Sequence, residues 1–159
     1  VENLTQTELW NGSSWTEVSD LNTGRGEMGS TGIATAALAL GGRVFPPTSG
    51  RSEVEQWNGS SWTEMNDLNT GRYGGCGSQF NYSDSFLAGG QIPAVQANTE
   101  LWNGASWVEV ADLNTARGKA AGAGTQSEGG LCSSGGLPAA TAAVEEWSST
   151  SSTIKVLTD

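Results

Sequence analysis

Hydrophobic and polar residues alternate over short stretches of this chain, and the stretches are separated by turns rich in Asn, Gly and Ser. In the first copy of the pattern, residues 7–10 (Thr-Glu-Leu-Trp) and 15–18 (Trp-Thr-Glu-Val) flank residues 11–14 (Asn-Gly-Ser-Ser). Because Asn-Gly tolerates the positive φ of a tight turn, this pattern predicts a β-hairpin. No useful length of chain spaces apolar residues three and four positions apart, so the pattern predicts strands and not helices.

The same phrase recurs along the chain. Trp-Asn-Gly-Ser/Ala-Ser-Trp, followed by Asp-Leu-Asn-Thr-Gly/Ala-Arg, covers residues 10–25, 57–72 and 102–117, and a degraded fourth copy opens at Trp147. The copies begin at Trp10, Trp57, Trp102 and Trp147, so the spacings are 47, 45 and 45 residues. Such a period is typical of a four-stranded propeller blade or of a two-helix solenoid unit. The unit is dense in Gly, Ser, Thr and Asn, which excludes the helical alternative.

Four strands, a to d, fit into one repeat. Strands c, d, a and b are predicted in chain order over residues 7–10, 15–18, 27–33 and 35–40. Strand b ends at a Gly-Gly pair, at residues 41–42, 89–90 and 135–136. Strand a of the third repeat, residues 118–124, is nearly all small, whereas the tryptophans lie on c and d. Small residues around an axis and bulky residues between outer strands favour a propeller over a sandwich.

These positions resemble kelch repeats, whose pattern is a Gly-Gly pair, an aromatic residue in the third strand, Trp in the fourth and an Arg after the next loop. The matching tryptophans and arginines are Trp10, Trp15 and Arg25; Trp57, Trp62 and Arg72; Trp102, Trp107 and Arg117; and Trp147. One departure is Trp in place of the usual Tyr. The resemblance implies an all-β, kelch-like β-propeller in one domain, with repeats at about 1–25 (partial), 26–72, 73–117 and 118–159.

The number of blades raises the question of closure. The sequence supplies an arc of about three and a half four-stranded blades, whereas propellers close with about four to eight. The chain opens on Val1 in the middle of a repeat, so we expect a processed or truncated end, or the start of an ordered part of something longer. Closure is then expected through missing repeats or through another chain, with an unusual small or open ring as the further alternative. We prefer a two-chain ring of roughly seven blades.

The wording of the repeats is also similar to repetitive proteins of bacteriophages. This resemblance implies a tail-fibre or virion-surface protein, and the closing residues 151–159 (Ser-Ser-Thr-Ile-Lys-Val-Leu-Thr-Asp) resemble the natural C-terminal end of such proteins. The implied function is a non-enzymatic structural or host-surface-binding module, located at the virion surface or outside the cell. The alternative is a secreted or cell-surface carbohydrate-binding β-propeller of bacterial origin.

The charge of the chain narrows the classes of partner. The 159 residues include 17 acidic and 7 basic ones, for a net charge of −10. Attraction to the phosphates of nucleic acid or of an anionic membrane is therefore not expected. No stretch approaches the roughly 20 apolar residues of a membrane span. The expected partners are other virion proteins, copies of the chain in a homo-oligomer, or a glycan or protein of a host surface.

Carboxylates are predicted to face each other across every hairpin. If Trp10 faces Trp15 across the hairpin, other residues whose numbers also sum to 25 face each other. Glu8 therefore faces Glu17. The same arithmetic pairs Glu55 with Glu64, and Glu100 with Glu109. Facing carboxylates repel, so we predict that each repeated arginine (Arg25, Arg72, Arg117) binds such a pair through its planar donors. Paired carboxylates also serve glycoside hydrolysis, but three copies on outer strands indicate a scaffold.

The chain offers little to a metal or a cofactor. It has no His, hence no imidazole base and no metal cluster of the usual kind. Asp20, Asn22 and Thr23, with their equivalents in the later copies, carry oxygens of the type that calcium prefers, but turn chemistry explains them better. No cofactor is therefore expected. Cys76 and Cys132 occupy different repeat positions; we interpret them as small buried thiols, with a disulfide as the alternative.

Specificity is expected where the copies differ, which is in the connections between strands b and c. These cover residues 43–56, 91–101 and 137–146 and share one face with the repeated turns. Their apolar residues form a candidate contact patch for a neighbouring subunit or a ligand, represented by Val44, Phe45, Ile92, Val95 and Leu137. The alternative is that these residues cap the core.

Overall fold

The chain folds into β-strands throughout. The computed structural model describes residues 3–46, 49–79, 82–133, 135–136, 139 and 142–148, and the backbone of 153–157. In these residues there are eighteen strands and one short 3-10 turn, Tyr82–Asp84. No helix among them is long and apolar enough to cross a lipid bilayer. The prediction of an all-β chain is confirmed.

The strands follow a repeated order along the chain. They are β1 (Thr7–Trp10), β2 (Trp15–Val18), β3 (Gly29–Ile33), β4 (Ala36–Leu40), β5 (Arg43–Val44), β6 (Ser49–Gly50), β7 (Val54–Trp57), β8 (Trp62–Glu64), β9 (Cys76–Gly77), β10 (Phe86–Ala88), β11 (Gln91–Ile92), β12 (Ala94–Val95), β13 (Thr99–Trp102), β14 (Trp107–Glu109), β15 (Ala121–Thr125), β16 (Gly129–Ser133), β17 (Val144–Ser148) and β18 (Thr153–Leu157). The first hairpin has the predicted bounds of strands c and d.

Three antiparallel sheets of four strands carry the repeats. Sheet I has the order β3-β4-β7-β8, sheet II β9-β10-β13-β14, and sheet III β15-β16-β17-β18. Strands β1 and β2 form a separate two-stranded sheet, the open hairpin, and two short hairpins (β5 with β6, β11 with β12) extend from sheets I and II. Strand β9 contacts both β3 and β15, so the first strands of the three sheets lie side by side.

The first strands approach one another too closely for side chains at one position. A Cβ on Gly77 would lie 2.6 Å from the carbonyl oxygen of Ser30, and a Cβ on Gly122 would lie 2.1 Å from the carbonyl oxygen of Gly77. Ser30, Gly77 and Gly122 are equivalent positions of the repeat. Contact between neighbouring first strands therefore explains why small residues occupy strand a.

The first strands begin later than the sequence predicts. Strand a was expected over residues 27–33 and 118–124, but β3 begins at Gly29 and β15 at Ala121. The equivalent residues Glu27, Gly74 and Lys119 have left-handed φ values of 53°, 63° and 58°. The N–H of Gly74 donates to the carbonyl of Glu27 (2.8 Å), and the N–H of Lys119 donates to that of Gly74 (2.7 Å). These positions link neighbouring sheets instead of extending the strands.

The tryptophan pairs differ in burial although they share one geometry. In each hairpin the two rings are tilted, with centroids 5.4 to 5.5 Å apart. Trp57 is 4% exposed and Trp102 5% exposed, whereas Trp10 is 47% and Trp15 64% exposed. The indole N–H of Trp57 donates to the carbonyl of Ala34, between the first and second strands of its own sheet, at 3.0 Å. Trp102 packs in one apolar cluster with residues of sheet I, the neighbouring sheet. Among the described residues, the open hairpin has no such strands.

One buried tryptophan lacks a partner that its equivalent has. The indole N–H of Trp62 donates to the hydroxyl of Thr7 at 3.1 Å. Trp107 is the equivalent of Trp62 in the next repeat, and its buried Nε1 has no hydrogen-bond partner. The residue equivalent to Thr7 is there Val54, which packs in the same apolar cluster as Trp107. Val54 has no hydroxyl, and this substitution explains the unsatisfied indole.

The two cysteines form a disulfide, so the interpretation as separate buried thiols is wrong. Cys76 on β9 and Cys132 on β16 are bonded across 56 residues of sequence, with their Cα atoms 6.2 Å apart. Both are almost fully buried. They occupy different positions of their repeats, but the contact between β9 and sheet III brings a first strand beside a second strand. The bond therefore joins sheet II to sheet III.

Reduction of this disulfide should destabilise the protein. Closing a loop of this length lowers the entropy of the unfolded chain, and the expected contribution is about 4 kcal/mol. We expect dithiothreitol to lower the midpoint of urea unfolding, and Cys76→Ala with Cys132→Ala to lower it equally. If the double variant unfolded at the same urea concentration as the oxidised parent protein, the bond would not contribute to stability.

Introducing a hydroxyl at Val54 should satisfy the Trp107 indole. A buried threonine hydroxyl without a hydrogen-bond partner normally lowers the free energy of unfolding by about 1 to 3 kcal/mol. Here Val54→Thr should be neutral or stabilising by about 1 kcal/mol, because the new oxygen accepts the indole N–H. In a Trp107→Phe background the same substitution should destabilise. Urea unfolding of the four proteins in this cycle measures the coupling, and a cycle without coupling would contradict the assignment.

Candidate functional site

The predicted glutamate pairs face each other in the structure. Glu8 pairs with Glu17, Glu55 with Glu64 and Glu100 with Glu109, in the register that the residue numbers predict. In sheets I and II the two members of a pair differ in burial. Glu55 on β7 is 1% exposed, whereas its neighbour Glu64 on the outer strand β8 is exposed. A buried carboxylate needs hydrogen-bond donors, so the glutamate on the third strand must find its donors within the protein.

Glu55 receives hydrogen bonds from one repeated turn. Its Oε1 accepts from Arg25 Nη1 at 2.7 Å and from the backbone N–H of Thr23 at 3.3 Å. Its Oε2 accepts from the backbone N–H and the side-chain amide of Asn22, at 2.7 and 2.8 Å. The amide of Asn22 also donates to the carbonyl of Trp62 at 3.3 Å. Arg25 is 3% exposed, so this is a buried ion pair with charge-assisted hydrogen bonds.

The same arrangement occurs in sheets II and III. Glu100 accepts from Asn69, Thr70 and Arg72. Glu145 accepts from Asn114, Thr115 and Arg117. We call each set of a glutamate with its Asn, Thr and Arg a Glu–turn join. The three joins are centred on Glu55, Glu100 and Glu145.

Each turn also bonds to its own repeat through its backbone. The N–H of Leu21 donates to the carbonyl of Thr5 (3.0 Å), and the N–H of Arg25 donates to that of Leu4 (3.3 Å). The leucines Leu68 and Leu113 make the equivalent bonds in the later repeats. Each turn is therefore held by the backbone of its own repeat and by the buried glutamate of the next sheet. It couples neighbouring sheets.

The sequence predicted the ion pairs but not their full composition. The three repeated arginines do bind glutamates, but Arg25 and Arg72 each bind only one member of a facing pair. Arg117 binds Glu145, which faces Val156 and not a second glutamate. The role of Asn22 and its equivalents as donors to the carboxylate was missed. So was Glu145, although it lies two residues before Trp147 as Glu100 lies two before Trp102. That spacing was the available signal.

Aspartates and asparagines of the turns bond within the protein. Asp20 accepts a hydrogen bond from the hydroxyl of Thr5, and Asp67 accepts one from Ser52. The asparagines of the joins direct their amides to glutamates. These are the bonds of ordinary turn residues. In the described part of the chain, no three His, Cys, Asp or Glu residues are grouped so as to hold a metal ion.

The variable connections place their apolar residues at half-buried positions. Val44, Phe45, Ile92 and Val95 are all of intermediate exposure, and Leu137 lies outside the described residues. The backbone of Phe45 both donates to and accepts from the side chain of Asn3. The intermediate exposure of these residues fits both the contact patch and the core cap.

Charged residues surround the first variable connection. The guanidinium of Arg43 lies over the rings of Phe45 and Tyr73, at 4.1 and 4.9 Å from their centroids, and binds Glu27. Glu53 binds Arg51. Burial acts to raise the pKa of Glu53, but hydrogen bonds from its own backbone and from Arg51, with the positive charge of Arg51 and Arg25, lower this pKa below its ordinary value.

An open trough of about 910 Å³ runs along the first strands. Its lining includes Thr31, Ser78 and Gln79. The Ser78 hydroxyl donates to Thr31 at 3.0 Å, and the Gln79 amide donates to the carbonyl of Gly122 at 3.0 Å. These polar groups are used to connect neighbouring first strands.

Comparisons with known proteins give a likeness of fold. No protein-family model matches the sequence, and no curated protein sequence matches it. Among 137 similar chains of solved structures is YjhT, with a TM-score of 0.72 and 13% sequence identity. The match covers 91% of this chain and 49% of YjhT, so the chain spans about half of that protein. At this identity the likeness concerns the fold alone.

The two members of one glutamate pair should differ sharply in their effect on stability. Glu55→Gln leaves Arg25 buried without a countercharge, and we expect it to lower the free energy of unfolding by about 3 to 5 kcal/mol. Glu64→Gln changes the exposed neighbour on the same face and should alter it by less than about 0.5 kcal/mol. Urea unfolding measures both. Equal effects would show that the Glu–turn join is not what stabilises the sheet.

Proposed function

We propose that this chain is a non-enzymatic structural and surface-binding module, built as an arc of a kelch-like β-propeller in a bacteriophage virion appendage. The observation that carries the proposal is that repeated residues and variable residues have different roles in the structure. The repeated Glu, Asn and Arg side chains, with the backbone N–H of the repeated Thr, are used in three buried joins. The variable connections between second and third strands present half-buried apolar and charged residues on one face.

The arrangement of the sheets supports the propeller arc. Each of the three later repeats forms one four-stranded antiparallel sheet, and the first strands of successive sheets adjoin. Glycines at the contacts between first strands allow the close approach that strands around a common axis require. The tryptophans lie on the third and fourth strands, where sheets in a propeller diverge and bulky side chains fill the space.

The environment of the carboxylates supports a role without catalysis. In sheets I and II, the facing carboxylates that suggested glycoside hydrolysis consist of a buried member paired with Arg and an exposed member. In the first hairpin, Glu8 and Glu17 are both exposed. A retaining or inverting glycosidase needs both carboxyl groups beside the substrate. The disulfide supports a location outside the reducing cytosol, since such bonds persist in oxidising surroundings and on virion surfaces. Both observations fit a binding module that is exposed to the medium.

Binding by the variable face is testable with the full chain on a glycan array and on a panel of bacterial cells. We expect binding to a subset of surface glycans, and about tenfold weaker binding for the double variant Val44→Ser with Ile92→Ser, a change of about 1.4 kcal/mol. Val108→Ser, at an apolar position on outer strand β14 that is 44% exposed, is the matched control. Thermal unfolding of all three proteins excludes loss of folding as the cause.

Three results would contradict the proposal. Equal losses in the loop variant and in Val108→Ser would remove the variable face as the binding surface. Release of sugar from a bound glycan would contradict the non-enzymatic role. Absence of the chain from purified virions, measured by mass spectrometry, together with retained glycan binding, would favour a secreted carbohydrate-binding propeller instead.

A further inference from the structure

The cations that are not used in the joins gather around the first variable connection. The chain has seven basic residues, and three of them are the arginines of the Glu–turn joins. Of the other four, Arg43 and Arg51 belong to this connection, and Lys119 reaches Glu27, the glutamate that binds Arg43. The fourth, Lys155, lies in β18, of which the structure describes the backbone. The variable face thus holds three cations in a chain whose net charge is −10.

Glu27 brings two of these cations to one carboxylate. Its Oε1 accepts a hydrogen bond from Nη2 of Arg43 and lies 3.8 Å from Nζ of Lys119. We call Glu27, Arg43 and Lys119 the cation cluster; with two cations and one carboxylate, its formal charge is +1. Arg51 differs because Glu53 binds it through both carboxylate oxygens, with Oε2 accepting from Nε at 3.0 Å. The cation cluster therefore has an uncompensated charge, whereas the pair of Arg51 and Glu53 has none.

The cation cluster has donors that the described residues do not use. The rings of Phe45 and Tyr73 lie against the Arg43 guanidinium and hold it in place. Of its nitrogens only Nη2 forms a hydrogen bond with a described residue, and Nε is buried without a partner. The ammonium of Lys119 is too far from Glu27 for a hydrogen bond, and its side chain is 52% exposed. A ligand at the surface can therefore reach Nζ of Lys119 and Nη1 of Arg43.

A cavity lies beside the two cations. The backbone bonds between the equivalent positions Glu27, Gly74 and Lys119 place these residues next to one another. Gly74 has no side chain, so a gap remains between the side chains of Glu27 and Lys119. The cavity at this gap has a volume of about 370 Å³ and is lined by Glu27, Met28, Gly74, Gly75, Lys119 and Ala120. This is the size of a small-molecule site and admits one sugar residue with its charged group.

The residues of this site do not recur in the other repeats. The equivalent sets are Glu27, Gly74 and Lys119; Arg43, Gln91 and Leu137; and Gly26, Tyr73 and Gly118. The residues of the joins recur because every sheet needs them. The fold of a repeat does not require the charges of the cation cluster, so these charges are free to serve recognition.

We propose that the cation cluster binds a singly charged oxyanion on a surface glycan, either a carboxylate or a phosphodiester. Oxygens of this group accept hydrogen bonds from Nη1 of Arg43 and Nζ of Lys119, and the sugar that carries it occupies the cavity at Gly74. Such charge-assisted bonds are stronger than neutral ones. The acidic remainder of the chain repels an anion, so the charged group binds only where these cations lie. This inference rests on the proposed surface-binding function and names the chemistry of the glycan.

Binding of the full chain to three soluble polymers tests the proposal. Polygalacturonate carries carboxylates, poly(glycerol phosphate) carries phosphodiesters, and dextran is neutral. We expect saturable binding of at least one anionic polymer in titration calorimetry, and no binding of dextran. The anionic polymer that binds identifies the source of the oxyanion. Added NaCl should weaken this binding, because salt screens exposed charges.

Three variants separate the cation cluster from general attraction between charges. Lys119→Gln should weaken binding about tenfold, as expected for loss of a hydrogen bond to a charged group. Arg51→Gln is the matched control, because it removes one positive charge from the same face but from a cation that Glu53 already binds. It should change the affinity by less than about twofold. Glu27→Gln removes the competing carboxylate and should strengthen binding about threefold, a gain that loss of folding does not produce.

Three results would overturn the proposal: equal binding of all three polymers, equal weakening by Lys119→Gln and Arg51→Gln, or no binding of either anionic polymer. If the chain bound neutral glycans on the array but neither anionic polymer, the surface-binding function would stand and the cation cluster alone would be ruled out. Binding that depends on Lys119, in a chain that is absent from virions, would support the cation cluster and contradict only the virion location.

Discussion

The structure depends on one interaction, a buried glutamate that accepts hydrogen bonds from a single turn. An ionised carboxylate inside a protein is strongly unfavourable unless it is paired and its oxygens are hydrogen-bonded. Glu55 meets this requirement with Arg25, Asn22 and Thr23. The turn that supplies these donors is held by the preceding repeat. A sheet can therefore bury its glutamate only when the turn of the preceding repeat lies beside it. This requirement couples each sheet to the repeat before it in the sequence.

This coupling explains the distribution of charge and of sequence variation. Arg25, Arg72 and Arg117 are buried in ion pairs, and Arg43 and Arg51 pair with glutamates at half-buried positions. Few cations are left at the surface to offset the acidic residues that give the chain its net charge of −10. Residues of the joins recur nearly unchanged because each has several partners. The connections between second and third strands carry no such requirement, and differences between repeats accumulate there.

The open hairpin shows that burial is decided by neighbours and not by the repeated phrase. Trp10 and Trp57 have the same local sequence and the same ring geometry, but their exposures are 47% and 4%. Glu8 and Glu55 differ in the same way. The repeated phrase forms a hairpin that carries a tryptophan pair and a glutamate. Whether these side chains are buried depends on two strands and one turn that come from elsewhere in the sequence.

The sequence alone determined the all-β class, the bounds of β1 and β2 and the register of every Trp-Asn-Gly hairpin. The bounds and the register depend on a turn of four residues, whose backbone preferences select one pairing of the two strands. Only the tertiary structure decided which glutamate of each pair is buried, that Asn22 helps to neutralise it, that Cys76 bonds to Cys132 and that Glu27 and Lys119 link sheets instead of starting strands. Each of these depends on contacts between segments about 30 or more residues apart, or between neighbouring sheets, and no local pattern encodes how closely such segments approach.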